Sequence, residues 1–144
     1  MFATKQSDPA APHVLLSPSP FLKKLVLMSE KPRISEDPLY MLLRDGGQDD
    51  FNQRRATGAN CDLVGVNLVG VDLRGANLKG LDMSGAYLRG ADLRGLDLRE
   101  TNLLGASLAQ AHVSGTFFPT EIAASEIMMS VLYGTRIRYR PHDD

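Results

Sequence analysis

The sequence predicts an all-β repeat fold in the middle of the chain, and three observations predict it. From Cys61 to Thr120 the chain divides into twelve five-residue blocks without an insertion. The third residue of every block is apolar, and the first is small or aliphatic. A period of five suits neither ordinary element. On an α-helix five residues advance about 500°, so the third-position residues would walk around the circumference instead of forming a stripe. On one continuous strand an odd period would send alternate leucines to opposite faces. Each block is therefore its own unit, a short extended segment followed by a bend. Its first and third residues point inward and the other three point out.

The inward third positions define the expected core: Leu63, Leu68, Leu73, Leu78, Met83, Leu88, Leu93, Leu98, Leu103, Leu108, Val113 and Phe118. The second position is mostly Asp or Asn, and the fifth is Gly in nine of the twelve blocks. Nine glycines make a helix costly, at about 1 kcal/mol each relative to Ala. Burying a leucine is worth about 1.5–3 kcal/mol, so the nine central leucines give a gross gain on the order of 14–27 kcal/mol before entropy is subtracted. Such an interior is a filled core and not a pore.

Blocks such as ANLKG and ADLRG resemble the pentapeptide-repeat proteins, whose consensus is A(D/N)LxG. The resemblance covers roughly residues 59 to 118. It implies four blocks per coil, one on each side of a square, so that residues twenty apart stack. The fold class expected on this basis is an all-β solenoid, a right-handed quadrilateral β-helix of about three coils. Short α-helical caps close both ends, and a disordered tail precedes them. At a strand spacing of about 4.8 Å the stack rises only on the order of 14 Å.

The flanks are justified locally. Asp37 followed by Pro38 reads as an N-cap and first-turn proline, opening a short helix that Gly46 and Gly47 close. A second helix runs through QDDFNQRRATG, with Asp49 and Asp50 near its start, Arg54 and Arg55 near its end, and Gly58 as the stop. A block beginning at Glu121 would place a carboxylate inward, and Pro119 removes a ladder donor, so the repeat ends there. Glu121 to Tyr133 then reads as a helix with Thr120 or Ser125 as N-cap and Gly134 as the stop. The basic TRIRYR that follows reads as a short extended tail. The expected domains are a disordered tail over 1–34, an N-terminal helical cap over 35–58, the β-helix over 59–119, and the C-terminal helix and basic tail over 120–144. Solenoids need such caps because an open edge invites association. These flanks resemble those of short bacterial members of the family. Five prolines interrupt residues 1 to 34, and Met28 is an alternative start.

Composition narrows the function. Lys plus Arg number 16 against 17 Asp plus Glu, a formal charge of −1, which gives no general electrostatic reason to bind nucleic acid or an anionic membrane. The lone cysteine, Cys61, suits a reducing cytoplasm and reads as a buried hydrophobe. No apolar run reaches the roughly 18 residues of a membrane span. The aspartates Asp62, Asp72, Asp82, Asp92 and Asp97 form an outward row, read as solvated and not as a calcium site, so that Asp82→Ala is expected to be nearly silent. Twenty-residue stacking lays Arg74 over Arg94 and Lys79 over Arg99, each close in sequence to an aspartate. The blocks hold five basic and six acidic residues, so mutual neutralisation is preferred to a phosphate site. Val64, Ser84 and Leu104 are outward on another side. His112 points out with no catalytic companion, and His13 and His142 lie in the tails.

No metal-ligand spacing, phosphate loop or nucleophile motif is present. The expected function is a non-catalytic protein-interaction scaffold, without cofactor, metal or small-molecule substrate. Its partner is a protein that the sequence does not identify. The candidate contact surface is Met128, Met129, Leu132 and Tyr133 on the C-terminal helix, which could also dimerise the chain, together with Arg74 and Arg94. The alternative is a modulator of a topoisomerase such as DNA gyrase, because longer members of the family imitate duplex DNA. Three coils are short for that, and the outward charge is balanced.

Overall fold

The computed structural model describes residues 31–141. The expected tail over residues 1–30, with the alternative start at Met28 and with His13, lies outside them, as does His142. Three helices are present among the described residues: α1 (Pro38–Arg44), α2 (Gln48–Ala56) and α3 (Ala124–Tyr133). Between α2 and α3 no bridge extends into a run long enough to be a strand. The chain instead makes isolated parallel bridges between residues twenty apart, as in Asn67 with Tyr87, Tyr87 with Ser107, Asp72 with Asp92 and Asp92 with His112. Twenty residues hold four blocks, so the blocks stack in four columns, numbered here from the block that begins at Cys61.

Each block but the last turns at its fourth and fifth residues. In ten of the twelve blocks the fifth residue has a left-handed backbone, which is why glycine recurs there. Gly85 has φ 69°, and a Cβ added to it would only touch Gly65 Cα at 3.7 Å, so conformation and not space selects glycine. Of the three fifth residues that are not glycine, Gln110 keeps the left-handed turn at φ 58°, whereas Glu100 and Thr120 do not adopt it. The Gln110 amide donates to Val131 O in α3, a bond that holds the strained turn against the helix.

The core lies on the solenoid axis. The third-position residues from Leu63 to Leu108 are 0–1% exposed, whereas Val113 and Phe118 in the last coil are only partly buried. First-position residues fill the remaining space. Thr101 is buried there and its hydroxyl donates to Leu78 O at 2.8 Å, which satisfies an otherwise costly group. Over the first coil, Tyr40 and Leu43 of α1 and Phe51 of α2 are fully buried, with Tyr40 Oη donating to Asn67 O at 2.6 Å. Below the last coil, Ile122 and Ile137 are buried, and Ile127 and Val131 of α3 are packed against the core.

The flanks depart from the sequence reading at two points, Arg33 and the start of α3. Arg33, assigned to the tail, pairs in parallel with Val66: its amide donates to Gly65 O and its carbonyl accepts from Asn67 N. Edge pairing with the first coil fixes it, a non-local effect that no local period announces. Gly46 and Gly47 close α1 as expected: Gly46 is left-handed, Gly46 N donates to Leu43 O and Gly47 N to Leu42 O at 2.8 Å. Gly47 is at the same time the N-cap of α2. Helix α3 begins three residues later than expected, at Ala124. Its N-cap is Ala123, with no side-chain bond, in place of Thr120 or Ser125. The extended tail is also paired: Arg136 bridges antiparallel to Ser107, reversing the sense of the ladder at its end. Asp37 caps α1 as its residue type suggests, accepting from Leu39 N at 2.8 Å.

Candidate functional site: the solenoid surface and its C-terminal end

The outward second-position residues form a repeated turn device. The side-chain oxygen of Asp62, Asn67, Asp72, Asn77, Asp82, Asp92, Asp97 or Asn102 accepts from the amide two residues on, at 2.9–3.2 Å. This is why Asp or Asn recurs there: a short acceptor closes the bend locally. The row is therefore structural and not merely solvated. Asp82→Ala removes the bond to Ser84 N, so a measurable loss of stability is expected in place of a silent change.

Columns three and four add fork-shaped pairs. Arg74, Arg94 and Arg99 each place two guanidinium nitrogens on the aspartate two residues earlier, with NH2 contacts of 2.8, 2.6 and 2.7 Å. Arg74 also reaches across coils to Asp92, with Nε to Oδ2 at 3.3 Å. Lys79 pairs with Glu100. The bidentate bonds from Arg94 hold the Asp92 carboxyl well below its usual range, with Arg74 adding to the effect. The corresponding bonds from Arg99 bring Asp97 down to about 2. Cations turned onto their own aspartates leave little net field for a phosphate.

Column one is less open than its residues suggest. Val64 and Leu104 are half-buried and Ser84 between them is buried. Arg33 donates twice to Val64 O at one end of this corner, and Arg136 donates to Gly105 O at the other, with its guanidinium over the Tyr87 ring at 4.9 Å. Cys61 is buried, and burial, with Asp37 and Asp62 nearby, pushes its thiol up to about 12. His112 is exposed on column three. Among the described residues no three His, Cys, Asp or Glu side chains gather to hold a metal ion. No helix among them is long and apolar enough to cross a membrane.

The apolar exposure concentrates at the C-terminal end. Met128, Met129, Leu132 and Tyr133 of α3 are exposed, as is Phe117 in the last coil, where Arg99 lies 5.1 Å over its ring. Arg74 and Arg94, grouped with the α3 residues in the sequence reading, sit elsewhere on the solenoid wall and are engaged by Asp72 and Asp92. The N-terminal end contains a device that the sequence reading missed. Asn52 Nδ2 donates to Gly75 O at 2.8 Å and its Oδ1 accepts from Asn77 N at 2.7 Å. Arg33 makes the same two bonds with its backbone, to Gly65 O and from Asn67 N. The Asn52 amide thus stands in for one peptide of an absent coil. Arg55 and Gln48 extend the cap by donating to Lys79 O and Asp72 O.

The sequence pattern of the family described as pentapeptide repeats matches residues 59–90 and 86–118, in eight copies. Neither a curated protein nor a solved structure matches the chain. The family match, the twenty-residue register and the buried third positions coincide over one segment, and residues 59–118 of this chain are pentapeptide repeats.

Proposed function

We propose that this chain is a non-catalytic interaction scaffold, built as a right-handed quadrilateral β-helix of about three coils, whose partner is a protein. One observation carries the reading. The interior is consumed by stacked aliphatic ladders and the charged wall is turned onto itself, while four large apolar side chains of α3 remain exposed together. A monomeric surface seldom leaves such a cluster open without use. Met128, Met129, Leu132 and Tyr133 are therefore the contact surface, and a second copy of the chain is another occupant they could take. Arg74 and Arg94 contribute less, because binding through them would first break pairs already made. The same pairing weighs against imitation of DNA, which needs an uncompensated acidic face.

Affinity capture with the full-length chain tests the reading when it is run beside Met129→Asp/Tyr133→Asp. The expected result is one protein retained by the wild type, lost from the variant, and no effect of either on supercoiling by DNA gyrase. Inhibition of gyrase by the wild type, or retention of the same proteins by both forms, would overturn it.

A further inference from the structure

Every coil of a solenoid turns part of its backbone toward the next, so each end must dispose of those donors and acceptors. At the C-terminal end, columns one and two do so. Ile137 N donates to Ala106 O and Gly105 N donates to Ile137 O, while Leu108 N donates to Ser130 Oγ and Gln110 N to Val131 O. Column three does not. In its earlier coils Val71 O and Ala91 O accept from Asp92 N and His112 N, Leu93 N donates to His112 O, and Gly95 N donates to Ser114 O. The equivalents in the last coil are Ala111 O, Val113 N and Gly115 N, and none has a partner among the described residues. Apolar cover agrees with this: Leu103 and Leu108 are fully buried in the last coil, but Val113 is not.

Helix α3 lies against column two, the neighbour of this edge, where Ser130 Oγ accepts from Leu108 N and Val131 O from Gln110 N. Ile127 and Val131 face the core, Ser130 is buried, and Glu126 meets Arg138 of the tail on one flank. At 100° per residue, Met128 and Leu132 fall on the opposite flank. The tail lies over columns one and two, so that opposite flank is the one beside column three. A bare strand edge next to an apolar helix flank is the arrangement that accepts an added strand, with backbone bonds giving affinity and side-chain seats giving selectivity.

Resting on the scaffold reading, we propose that the column-three edge of the last coil is a docking seat for an extended, uncharged segment of a partner protein. The segment adds as one more strand and sets an aliphatic side chain between Val113 and the Met128–Leu132 flank. The chain's own tail supplies the template on the other side of α3, where Ile137 exchanges two backbone bonds with the last coil and is 1% exposed. Neutrality of the ligand follows from residues 111–120, which contain no Asp, Glu, Lys or Arg.

The probe is an acetylated, amidated peptide of alternating threonine and valine, titrated into isotope-labelled full-length protein while amide exchange is followed by NMR. Val113 and Gly115 amides should exchange fast in the free protein and slow at least tenfold at saturation. The already bonded Leu108 and Gln110 amides should barely change. Met128→Asp/Leu132→Asp alters two exposed positions, so it should fold normally and weaken the peptide at least tenfold. Slow exchange at Val113 and Gly115 in the free protein, together with a dimer in sedimentation, would assign the edge to a second copy and overturn the proposal. Peptide binding that leaves both amides fast, or that ignores the double substitution, would also overturn it. A partner captured equally by the wild type and by Met128→Asp/Leu132→Asp would overturn this seat while leaving the scaffold reading intact.

Discussion

Asp97 shows how one residue type serves two ends in this repeat. Its Oδ1 closes the turn by accepting from Arg99 N, and both oxygens accept from the Arg99 guanidinium. These bonds favour the charged form and bring its pKa to about 2 from an ordinary 3.8. A depressed carboxylate contributes stability above its unfolded-state value and loses it as pH falls through the folded value. The urea midpoint should therefore hold from pH 7 to 5 and drop between about pH 4 and 2. Asp97→Asn keeps an oxygen for the Arg99 amide but cannot titrate, so its midpoint should be lower at pH 7 and change less with acid. A slope equal to that of the wild type would contradict the assignment. Cys61 makes the opposite case. Its thiol is covered and shifted up to about 12, so a disulfide reagent at pH 8 should modify it only after urea has unfolded the chain. Rapid labelling of the folded protein would place Cys61 elsewhere.

Elements show what a linear pattern can and cannot reveal. The ladders were legible because the same demand recurs every five residues, so Leu, Asp or Asn, and Gly repeat in phase. Helices α1 and α2 were legible from Asp37, Pro38 and Gly58, each of which acts on its own backbone. Asn52 was not, because its amide matters only once α2 is laid across the first coil, 23 to 25 residues from its partners. Arg33 was hidden for the same reason. Asn52→Leu should cost about 0.5–1.5 kcal/mol, a modest loss because water can reach the freed groups. Asn52→Asp should cost more at pH 7, since a carboxylate then faces Gly75 O. Chemical denaturation of both variants checks the order, and a stabilised Asn52→Asp would show that the amide does not replace a peptide.

On the scale of the whole molecule, stability is a sum over coils that touch only their neighbours, with both ends as exceptions. The first coil is roofed by α1 and α2, whereas the backbone of the last coil is bonded over columns one and two and, among the described residues, unbonded over columns three and four. The sequence could not show this inequality, because Val113 occupies the same place in its block as Leu88. Leu88 lies in the middle coil at 0% exposure, between Leu68 and Leu108 in its column, and cannot be refilled without moving both neighbours. Leu88→Ala should therefore cost about 2–5 kcal/mol. Val113→Ala removes a smaller side chain that is already partly in water, and should cost less than about 1.5 kcal/mol. Urea unfolding of the two variants under one set of conditions decides the matter. Equal losses would mean that the last coil is as well covered as the middle one, and the open third column would then have no physical basis.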